Sequence, residues 1–307
     1  MAFTASDVKI LRERTGCGMM DCKKALSETN GDMDKAIDIL REKGLAAAAK
    51  KAGRIAAEGM VYAYVDDAKK VGVIIEVNSE TDFVSKNADF QAFVKKLAEI
   101  VADKAPADND ALMELPYDDK FNVAQALQDK ILVIGENIKI RRFARFEGNL
   151  VSYVHGGGRI GVIVKFDADD TAANSDKLIE AGKDVAMQIA ALNAPYLNRE
   201  SVPADVIEKE KEILIAQIQN DPKNAKKPQN IIDKMVDGRI GKYYTLNCLE
   251  EQAFVKDGDI TVGQYIENTA KEIGGKIKLV EYVRFEKGEG LQKREDNFAD
   301  EVASMVK

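Results

Sequence analysis

The feature of this sequence that most constrains its fold is an internal repeat. Residues 58–106 align without gaps on residues 147–195, at a constant offset of 89 residues. A second match, at an offset of 139 residues, aligns residues 138–147 with residues 277–286. Chance rarely keeps two segments in register over such a length, so we expect a duplicated structural unit.

Each copy of the repeat reads as strand, turn, strand, helix, helix, strand. The apolar run from Val71 to Val77 is typical of a strand, and the spacing of Val123, Leu127 and Ile131 predicts a helix. Three strands with hairpin connections predict an antiparallel sheet, whose apolar face two amphipathic helices must cover. The predicted fold class is therefore α+β, with a duplicated core of two three-stranded antiparallel sheets that carry helices on one face.

The rest of the chain is arranged around this core. Short apolar periodicities before Gly44 predict a module of three helices, the last of which ends at that glycine. An alanine-rich stretch then predicts a helical linker. We predict five segments: a helical N-terminal module (1–44), a linker (45–57), core repeat 1 (58–146), core repeat 2 (147–286) and a C-terminal module (287–307).

The second copy of the repeat carries an insertion of about fifty residues, because its two offsets are 89 and 139. The inserted sequence predicts a helical hairpin at about residues 200–242, with apolar positions on both arms and a turn between Pro222 and Pro228. We expect such a hairpin to have little core of its own, so its apolar stripe must pack elsewhere. Either a second copy of the protein or the chain's own core would cover it.

The C-terminal module contains a candidate amphipathic helix. Phe298, Val302, Met305 and Val306 have the i, i+4, i+7, i+8 spacing of an apolar helix face. This face docks either on a partner or on the chain's own core.

Composition and charge narrow the class of function. The 307 residues are 45% hydrophobic and 32% charged. No run of about 18 apolar residues predicts a membrane span, and the N-terminus resembles neither a signal nor a transit peptide, so we expect a cytoplasmic protein. The net charge of −7 argues against direct binding of nucleic acid and favours a protein partner. Residues 1–54 alone carry 11 Lys/Arg against 8 Asp/Glu, which favours either an acidic partner surface or a solvated face.

The chain lacks the sequence signatures of an enzyme. It has no P-loop, no nucleophile elbow and no clustered metal-ligand spacing, and Cys17, Cys22 and Cys248 do not have the spacing of a zinc site. His155 is the only histidine, and the glycines that follow it stand between paired strands, which predicts a hairpin turn. We therefore predict no catalytic residue, no cofactor and no metal ion.

The exit from strand Val71–Val77 carries a phenyl ring on a turn. Thr81 is a candidate helix N-cap, and Asp82 would favour the positive end of the helix dipole. Phe83 is either a hydrophobic staple beneath its own helix or a residue that binds a partner. The second copy has Asp170-Thr171-Ala172-Ala173 at the positions equivalent to Thr81-Asp82-Phe83-Val84. Because the repeated scaffold omits the ring there, partner binding is favoured.

Several groups of residues resemble the translation elongation factor Ts family. The similarity runs nearly from end to end and keeps the order of the modules. The residues that carry it are Thr15-Gly16, Gly18-Met19-Met20-Asp21-Cys22-Lys23-Lys24-Ala25-Leu26, Val77-Asn78, Thr81-Asp82-Phe83-Val84, Tyr153, His155-Gly156 and Arg159-Ile160-Gly161. One extra glycine after His155 lengthens the turn relative to the usual family pattern.

The resemblance implies a function and a set of partner contacts. It implies a guanine nucleotide exchange factor for elongation factor Tu in protein synthesis, which binds the GDP-bound and nucleotide-free partner. Its modules would be a ubiquitin-associated-like N-terminal module, a duplicated core, a helical hairpin used in dimerisation and a C-terminal module.

The resemblance also assigns site residues. In the motif Thr81-Asp82-Phe83-Val84, Asp82 and Phe83 would intrude near the partner's Mg²⁺ and phosphate site. Arg12, Met19 and Met20 would contact the partner's nucleotide-binding domain, and His155 would meet its third domain.

A protein of a different class remains as an alternative. The helical N-terminal module and its positive charge are also compatible with an adaptor that binds ubiquitin-like proteins, or with a nucleic-acid helper. An exchange factor releases its main partner when GDP is added, whereas an adaptor does not respond to GDP.

Overall fold

The N-terminal module in the computed structural model is a bundle of three helices. The structure describes residues 3–15, 17–224 and 227–292. The three helices are α1 (Ala5–Thr15), α2 (Met19–Glu28) and α3 (Met33–Lys51). Their apolar faces enclose a core of buried side chains, namely Val8, Leu11, Cys17, Cys22, Ala25, Leu26, Ala36 and Leu40. The three predicted helices are therefore present.

Helix α3 is longer than predicted, and the predicted end at Gly44 is wrong. The helix passes through Gly44 and continues to Lys51, so residues 45–51 of the predicted linker belong to it. Gly44 packs against a second helix, Val123–Ile134, where an added Cβ would lie 3.7 Å from the Gln128 carbonyl oxygen. Tertiary packing of this kind outweighs the low helix propensity of glycine, which would otherwise favour a helix end at this position.

Core repeat 1 contains one antiparallel sheet and four helices. In chain order its elements are β1 (Glu58–Asp66), β2 (Val71–Ser79), α4 (Asp82–Ser85), α5 (Ala88–Lys104), α6 (Asn109–Glu114), α7 (Val123–Ile134) and β3 (Lys139–Glu147). The strand order is β1-β2-β3, which places the apolar strand β2 at the centre. Helices α5 and α7 bury their apolar sides in one core cluster with this sheet.

Core repeat 2 repeats this arrangement around an insertion. In chain order its elements are β4 (Asn149–His155), β5 (Ile160–Ala168), α8 (Asp170–Ala173), α9 (Asp176–Leu192), α10 (Ala204–Asn220), α11 (Gln229–Asn247), β6 (Ala253–Phe254), β7 (Asp257–Thr261), α12 (Val262–Ile273) and β8 (Ile277–Glu286). The strand order is β4-β5-β8, and the sheet shares its core cluster with α9 and α12. The predicted α+β class with duplicated antiparallel sheets is confirmed.

The two sheets pack face to face through the surfaces that the helices leave free, a contact that we did not predict. Side chains from both sheets fill this interface, namely Val61, Ala63, Ile74, Leu150, Ile163 and Phe285. Gly72 and Gly161 occupy the same position in the two copies. An added Cβ would lie 2.8 Å from Leu150 Cδ1 at Gly72 and 2.6 Å from Val61 Cγ1 at Gly161. The sheets approach this closely only because both positions lack a side chain.

The inserted hairpin consists of α10 and α11, and it extends beyond the predicted residues 200–242. The two arms pack on each other through Leu214, Ile218, Ile232, Val236 and Ile240. The expectation that the hairpin has little core of its own is therefore wrong, because each arm covers the stripe of the other. Ile213 and Ile231 remain 42% and 41% exposed on its surface. A two-stranded sheet, β6-β7, follows the hairpin and was not predicted.

A buried carboxylate joins the sheet of core repeat 1 to the segment that follows β8. Glu76 of β2 is fully buried. Its oxygens accept hydrogen bonds from Arg141 at 3.0 Å, Arg142 at 2.7 Å and the Gly288 N–H at 2.8 Å. Burial by itself would raise the pKa of Glu76, but the Gly288 N–H, the Asn78 amide and the two guanidinium groups hold that pKa below its ordinary value. The segment after β8 is thus fastened to the first sheet.

The described chain ends shortly after this junction. Strand β8 ends at Glu286, and the described residues end at 292. The predicted C-terminal helix, with Phe298 and Val302, lies outside the described residues. Within the described ranges, no helix is both long enough and apolar enough to cross a membrane. The same ranges contain no group of three or more His, Cys, Asp or Glu placed to hold a metal ion.

Candidate functional site

The candidate site is the turn between β2 and α4. Strand β2 is buried along its length to Ser79, and α4 begins at Asp82. Thr81 occupies the N-cap position of α4, but its side chain makes no capping hydrogen bond. The predicted N-cap position of Thr81 is therefore confirmed, but its hydroxyl donates to Glu136 Oε1, at 2.6 Å, and does not cap the helix.

Two carboxylates brace this turn. Glu136, which precedes β3, accepts hydrogen bonds from the backbone N–H of Thr81 at 2.9 Å and from its hydroxyl at 2.6 Å. Glu80 accepts a hydrogen bond from the Asn137 N–H at 2.6 Å and forms a 3.4 Å ion pair with Arg54. The Asn137 side chain donates to the Arg54 carbonyl oxygen at 2.8 Å. Glu136 and Asn137, the residues just before β3, therefore hold both the turn and the segment at Arg54 that connects the N-terminal module to β1.

Phe83 lies in solvent at the tip of the braced turn. Its side chain is 77% exposed, whereas the adjacent Val84 is 5% exposed and belongs to the core of repeat 1. The interpretation of Phe83 as a hydrophobic staple is wrong, since a staple would bury the ring against its own helix. The Lys86 ammonium lies 5.6 Å from the ring centroid, within the range of a cation–π contact. The ring is therefore available to another molecule.

Asp82 places a negative charge beside the ring. The carboxylate forms a 2.8 Å ion pair with Lys86, and both side chains are exposed. The hydrogen bond from Lys86 and the positive charges of Lys86 and Lys287 lower the pKa of Asp82 below its ordinary value. Asp82 is therefore ionised at neutral pH, and its charge remains accessible at the surface.

The equivalent turn of core repeat 2 has a different construction. The Asp169 carboxylate caps α8 by accepting a hydrogen bond from the Ala172 N–H at 2.9 Å, and it also accepts one from the Lys276 N–H at 2.9 Å. Gly275 stands where repeat 1 has Glu136, and an added Cβ there would lie 2.7 Å from Asp169 Oδ1. Helix α8 carries no aromatic residue. The exposed ring and the second carboxylate thus occur only in repeat 1.

The other predicted partner-binding residues lie on two further surfaces. Arg12 is exposed on α1, and Met19 and Met20 at the start of α2 are 55% and 73% exposed. Adjacent exposed methionines present flexible, polarizable side chains, which suit an adaptable contact surface. Among the described residues, no direct hydrogen bond or ion pair links these three side chains to the turn that carries Phe83.

His155 lies at the end of β4, and the predicted hairpin turn that follows it is confirmed. Residues 156–159 connect β4 to β5, and the three glycines have positive φ values of 58°, 64° and 98°. The Gly158 carbonyl oxygen accepts a hydrogen bond from the Val61 N–H at 2.8 Å, so this turn lies against core repeat 1. The imidazole is exposed, and its Nδ1 lies 3.0 Å from the Tyr153 hydroxyl.

Comparisons with known proteins agree on one family. The family model described as Elongation factor TS matches residues 80–289. An elongation factor Ts of Clostridium perfringens strain SM101 is 52% identical over 306 residues, which cover 99% of each chain. The chain belongs to the elongation factor Ts family. Relatives of the same name from Clostridium botulinum strain Eklund 17B and Clostridioides difficile strain 630 are 50% and 49% identical, each over 307 residues and 99% of each chain. The resemblance noted in the sequence is confirmed.

The elongation factor Ts match begins at Glu80, the residue that opens the candidate turn. The N-terminal module lies outside the range of the family model but inside the aligned length of these elongation factor Ts relatives. Sequence reasoning missed the bracing residues Arg54, Glu80, Glu136 and Asn137. Aligning the two copies places Glu136 opposite Gly275, which marks a difference between the repeats but does not reveal what the carboxylate contacts.

Proposed function

We propose that the chain is a guanine nucleotide exchange factor that acts on elongation factor Tu in the cytoplasm and speeds the release of GDP. Membership of the elongation factor Ts family supports nucleotide exchange in translation elongation as the general activity. The observation that carries the mechanism is the exposed phenyl ring of Phe83 at the tip of a turn braced by hydrogen bonds.

The proposed mechanism is a wedge. In a GTPase, a short loop and a helix N-terminus hold the phosphates of the nucleotide, and Mg²⁺ bridges them. A ring inserted beside such a helix displaces it and weakens both contacts. Phe83 is suited to this insertion because the ring is exposed while Val84, its neighbour, is anchored in the core. Asp82 brings a negative charge toward the same site and thereby disfavours the ordered arrangement of Mg²⁺ and phosphate.

Exchange of this kind requires no covalent chemistry on the chain itself. A ligand shifts an equilibrium only by its differential affinity for the two states, so the factor must bind nucleotide-free elongation factor Tu more tightly than the GDP-bound form. Returning nucleotide then displaces the factor. In this proposal the chain has no catalytic residue, cofactor or metal ion of its own, and it is not an enzyme in the usual sense.

The remaining surfaces would hold the partner while the wedge acts. We assign Arg12, Met19 and Met20 to the partner's nucleotide-binding domain and His155 to its third domain. Contact at several separated places would orient the turn before the ring inserts. We assign the exposed apolar side chains of the α10–α11 hairpin to self-association of the factor.

Replacement of Phe83 by alanine tests the wedge. Because truncating an anchor residue at an interface costs about 2 kcal/mol or more, we expect Phe83→Ala to slow the release of fluorescent GDP from elongation factor Tu about tenfold or more. The melting temperature of the free variant should change little, since the ring is 77% exposed. Stopped-flow fluorescence and thermal melts measure the two quantities.

A matched control separates the wedge from a general loss of apolar surface. Leu192, at the end of α9, is 52% exposed, and Leu192→Ala should leave GDP release at the wild-type rate. Wild-type release by Phe83→Ala, or unfolding of that variant, would contradict the wedge. Capture of partners from a cytosolic extract distinguishes an exchange factor from an adaptor. Added GDP should release the main partner of an exchange factor, whereas an adaptor would keep its partner.

A further inference from the structure

Glu136 holds the turn that carries Phe83 through hydrogen bonds that the equivalent turn of repeat 2 lacks. It accepts two hydrogen bonds from one residue, Thr81, through its backbone N–H and its hydroxyl, at 2.9 Å and 2.6 Å. Hydrogen bonds to an ionised acceptor are short and strong. Two of them on one residue, made by different carboxylate oxygens, fix both its position and its orientation. Phe83 follows only two residues later.

Two local hydrogen bonds also hold the backbone of this turn: the Ser79 hydroxyl donates to the Thr81 carbonyl oxygen at 3.0 Å, and the Ser85 hydroxyl donates to the Asp82 carbonyl oxygen at 2.6 Å. Helix α4 has only four residues, and the side chain at its N-cap position does not cap it. Phe83 and Asp82 are exposed, and the next apolar anchor is Val84. The restraints that tie this backbone to the rest of the molecule are the hydrogen bonds of Glu136 and Glu80 on one side and the burial of Val84 on the other.

The second repeat shows which of these bonds belong to the scaffold. The hydrogen bond from the Asn137 N–H to Glu80, at 2.6 Å, recurs in repeat 2 as a bond from the Lys276 N–H to Asp169, at 2.9 Å. The hydrogen bonds of Glu136 do not recur, because the equivalent residue is Gly275.

A side chain at position 275 would also be sterically unfavourable, since an added Cβ would lie 2.7 Å from Asp169 Oδ1. The fold therefore builds this turn without the second carboxylate in the copy that lacks the phenyl ring. The carboxylate and the ring occur together in one copy and are absent together from the other.

We infer that Glu136 is a positioning residue for the wedge: its carboxylate holds Thr81 so that the ring of Phe83 already stands in the orientation that inserts into the partner. This inference rests on the proposed function. Pre-organisation of this kind lowers the conformational cost of inserting the ring within the complex, since the turn does not have to be ordered at that step. Glu136 itself does not have to touch the partner.

Two variants of Glu136 test the inference with the full-length chain. Glu136→Ala removes both acceptors and so allows the ring of Phe83 to shift. Because a misplacement of about 1 Å can cost an active group about a hundredfold in rate, we expect the maximal rate of GDP release to fall about threefold to tenfold. Glu136→Gln keeps an acceptor for the Thr81 N–H and places an amide beside the hydroxyl, so it should retain more than about half of the wild-type rate. Titration with elongation factor Tu loaded with fluorescent GDP separates the maximal rate from the half-saturating concentration.

If Glu136 only stabilised the fold, Glu136→Ala would lower the melting temperature and leave the maximal release rate unchanged. The control is Asp169→Ala, which removes the helix cap and the cross-link of the equivalent turn in repeat 2. It should lower the melting temperature and leave the maximal release rate unchanged at a temperature where every variant is folded by circular dichroism. Should Glu136→Ala not be folded there, Thr81→Val, which removes one of the two hydrogen bonds, takes its place.

A double variant decides whether Glu136 acts through the ring. If it does, Glu136→Ala combined with Phe83→Ala releases GDP no more slowly than Phe83→Ala alone. A further slowing by the full factor of the single variant would overturn the inference, as would a wild-type rate for Glu136→Ala when Phe83→Ala is slow. If Phe83→Ala itself releases GDP at the wild-type rate, the proposed wedge has failed, and the inference fails with it.

Discussion

Phe83 remains in water although burial of a phenyl ring is worth about 1.5 to 3 kcal/mol. That free energy stays available for a complex. The absence of an equivalent ring in the second copy favoured partner binding, and therefore an exposed ring, from sequence alone, but the contacts that hold the turn could not be predicted. Helix α8 begins at Asp170, which is equivalent to Thr81, whereas α4 begins one residue later, at Asp82. At the position equivalent to Phe83, Ala172 is buried, and Glu136, which is distant in sequence, holds Thr81 in repeat 1 alone.

The charge of Asp82 can be tested separately from the ring. We expect Asp82→Asn to slow GDP release a few-fold while the melting temperature stays almost unchanged, because an exposed ion pair such as that with Lys86 contributes little to stability. Stopped-flow release and thermal melts provide the two measurements. Lys86→Gln breaks the same ion pair but keeps the carboxylate, so it should not reproduce the slowing. Equal slowing by both variants would assign the effect to the ion pair.

At the scale of elements, periodicity predicted the hairpin and the repeated order of strands and helices. It did not predict which surfaces pair, because an apolar stripe indicates burial without identifying what covers it. The stripe on α10 is covered by α11, with Ile218 fully buried between the two arms. The extension of α3 past Gly44 has the same origin, since its packing on α7 is a long-range contact.

Removal of the hairpin tests its independence from the core. We expect a chain that lacks residues 205–240, with the gap closed, to fold and to release GDP at the wild-type rate, because the buried side chains of the hairpin contact mainly each other. Self-association, measured by analytical ultracentrifugation, should be lost. The double variant Ile213→Ser and Ile231→Ser keeps the hairpin but removes its exposed apolar side chains, and it should lose self-association equally. An unfolded core after the deletion would show that the hairpin stabilises it.

At the scale of the whole molecule, the two repeats form one body because their sheets meet. The glycine shared by the two copies was visible in the sequence, but its reason was not, since repeat alignment does not show that two faces are in contact. We expect Gly161→Ala to reduce the free energy of unfolding by about 1 to 3 kcal/mol, because its Cβ would lie 2.6 Å from Val61 Cγ1. Gly258→Ala, whose Cβ would meet no atom within 4 Å, is the control for urea unfolding. Equal costs for both variants would contradict tight packing between the sheets.

The buried carboxylate of Glu76 connects the first sheet to the segment beyond β8. That segment includes Lys287, whose positive charge adds to the effect of Lys86 in lowering the pKa of Asp82. Removing one member of a buried ion pair costs about 3 to 5 kcal/mol, and we expect Glu76→Gln to fall near the lower limit because the arginine side chains are partly exposed.

The same carboxylate should make stability depend on pH in one direction. Because the folded state lowers the pKa of Glu76 below its ordinary value of 4.5, its contribution is complete above that pH and is lost as the pH falls through the lower folded value. The difference in unfolding free energy between wild type and Glu76→Gln should therefore be constant from neutral pH down to about pH 5 and shrink below it. Urea unfolding across this range measures that difference. Glu272→Gln, which removes an exposed partner of Lys177, should show little difference at any pH. A difference for Glu76→Gln that grows as the pH falls would contradict the lowered pKa.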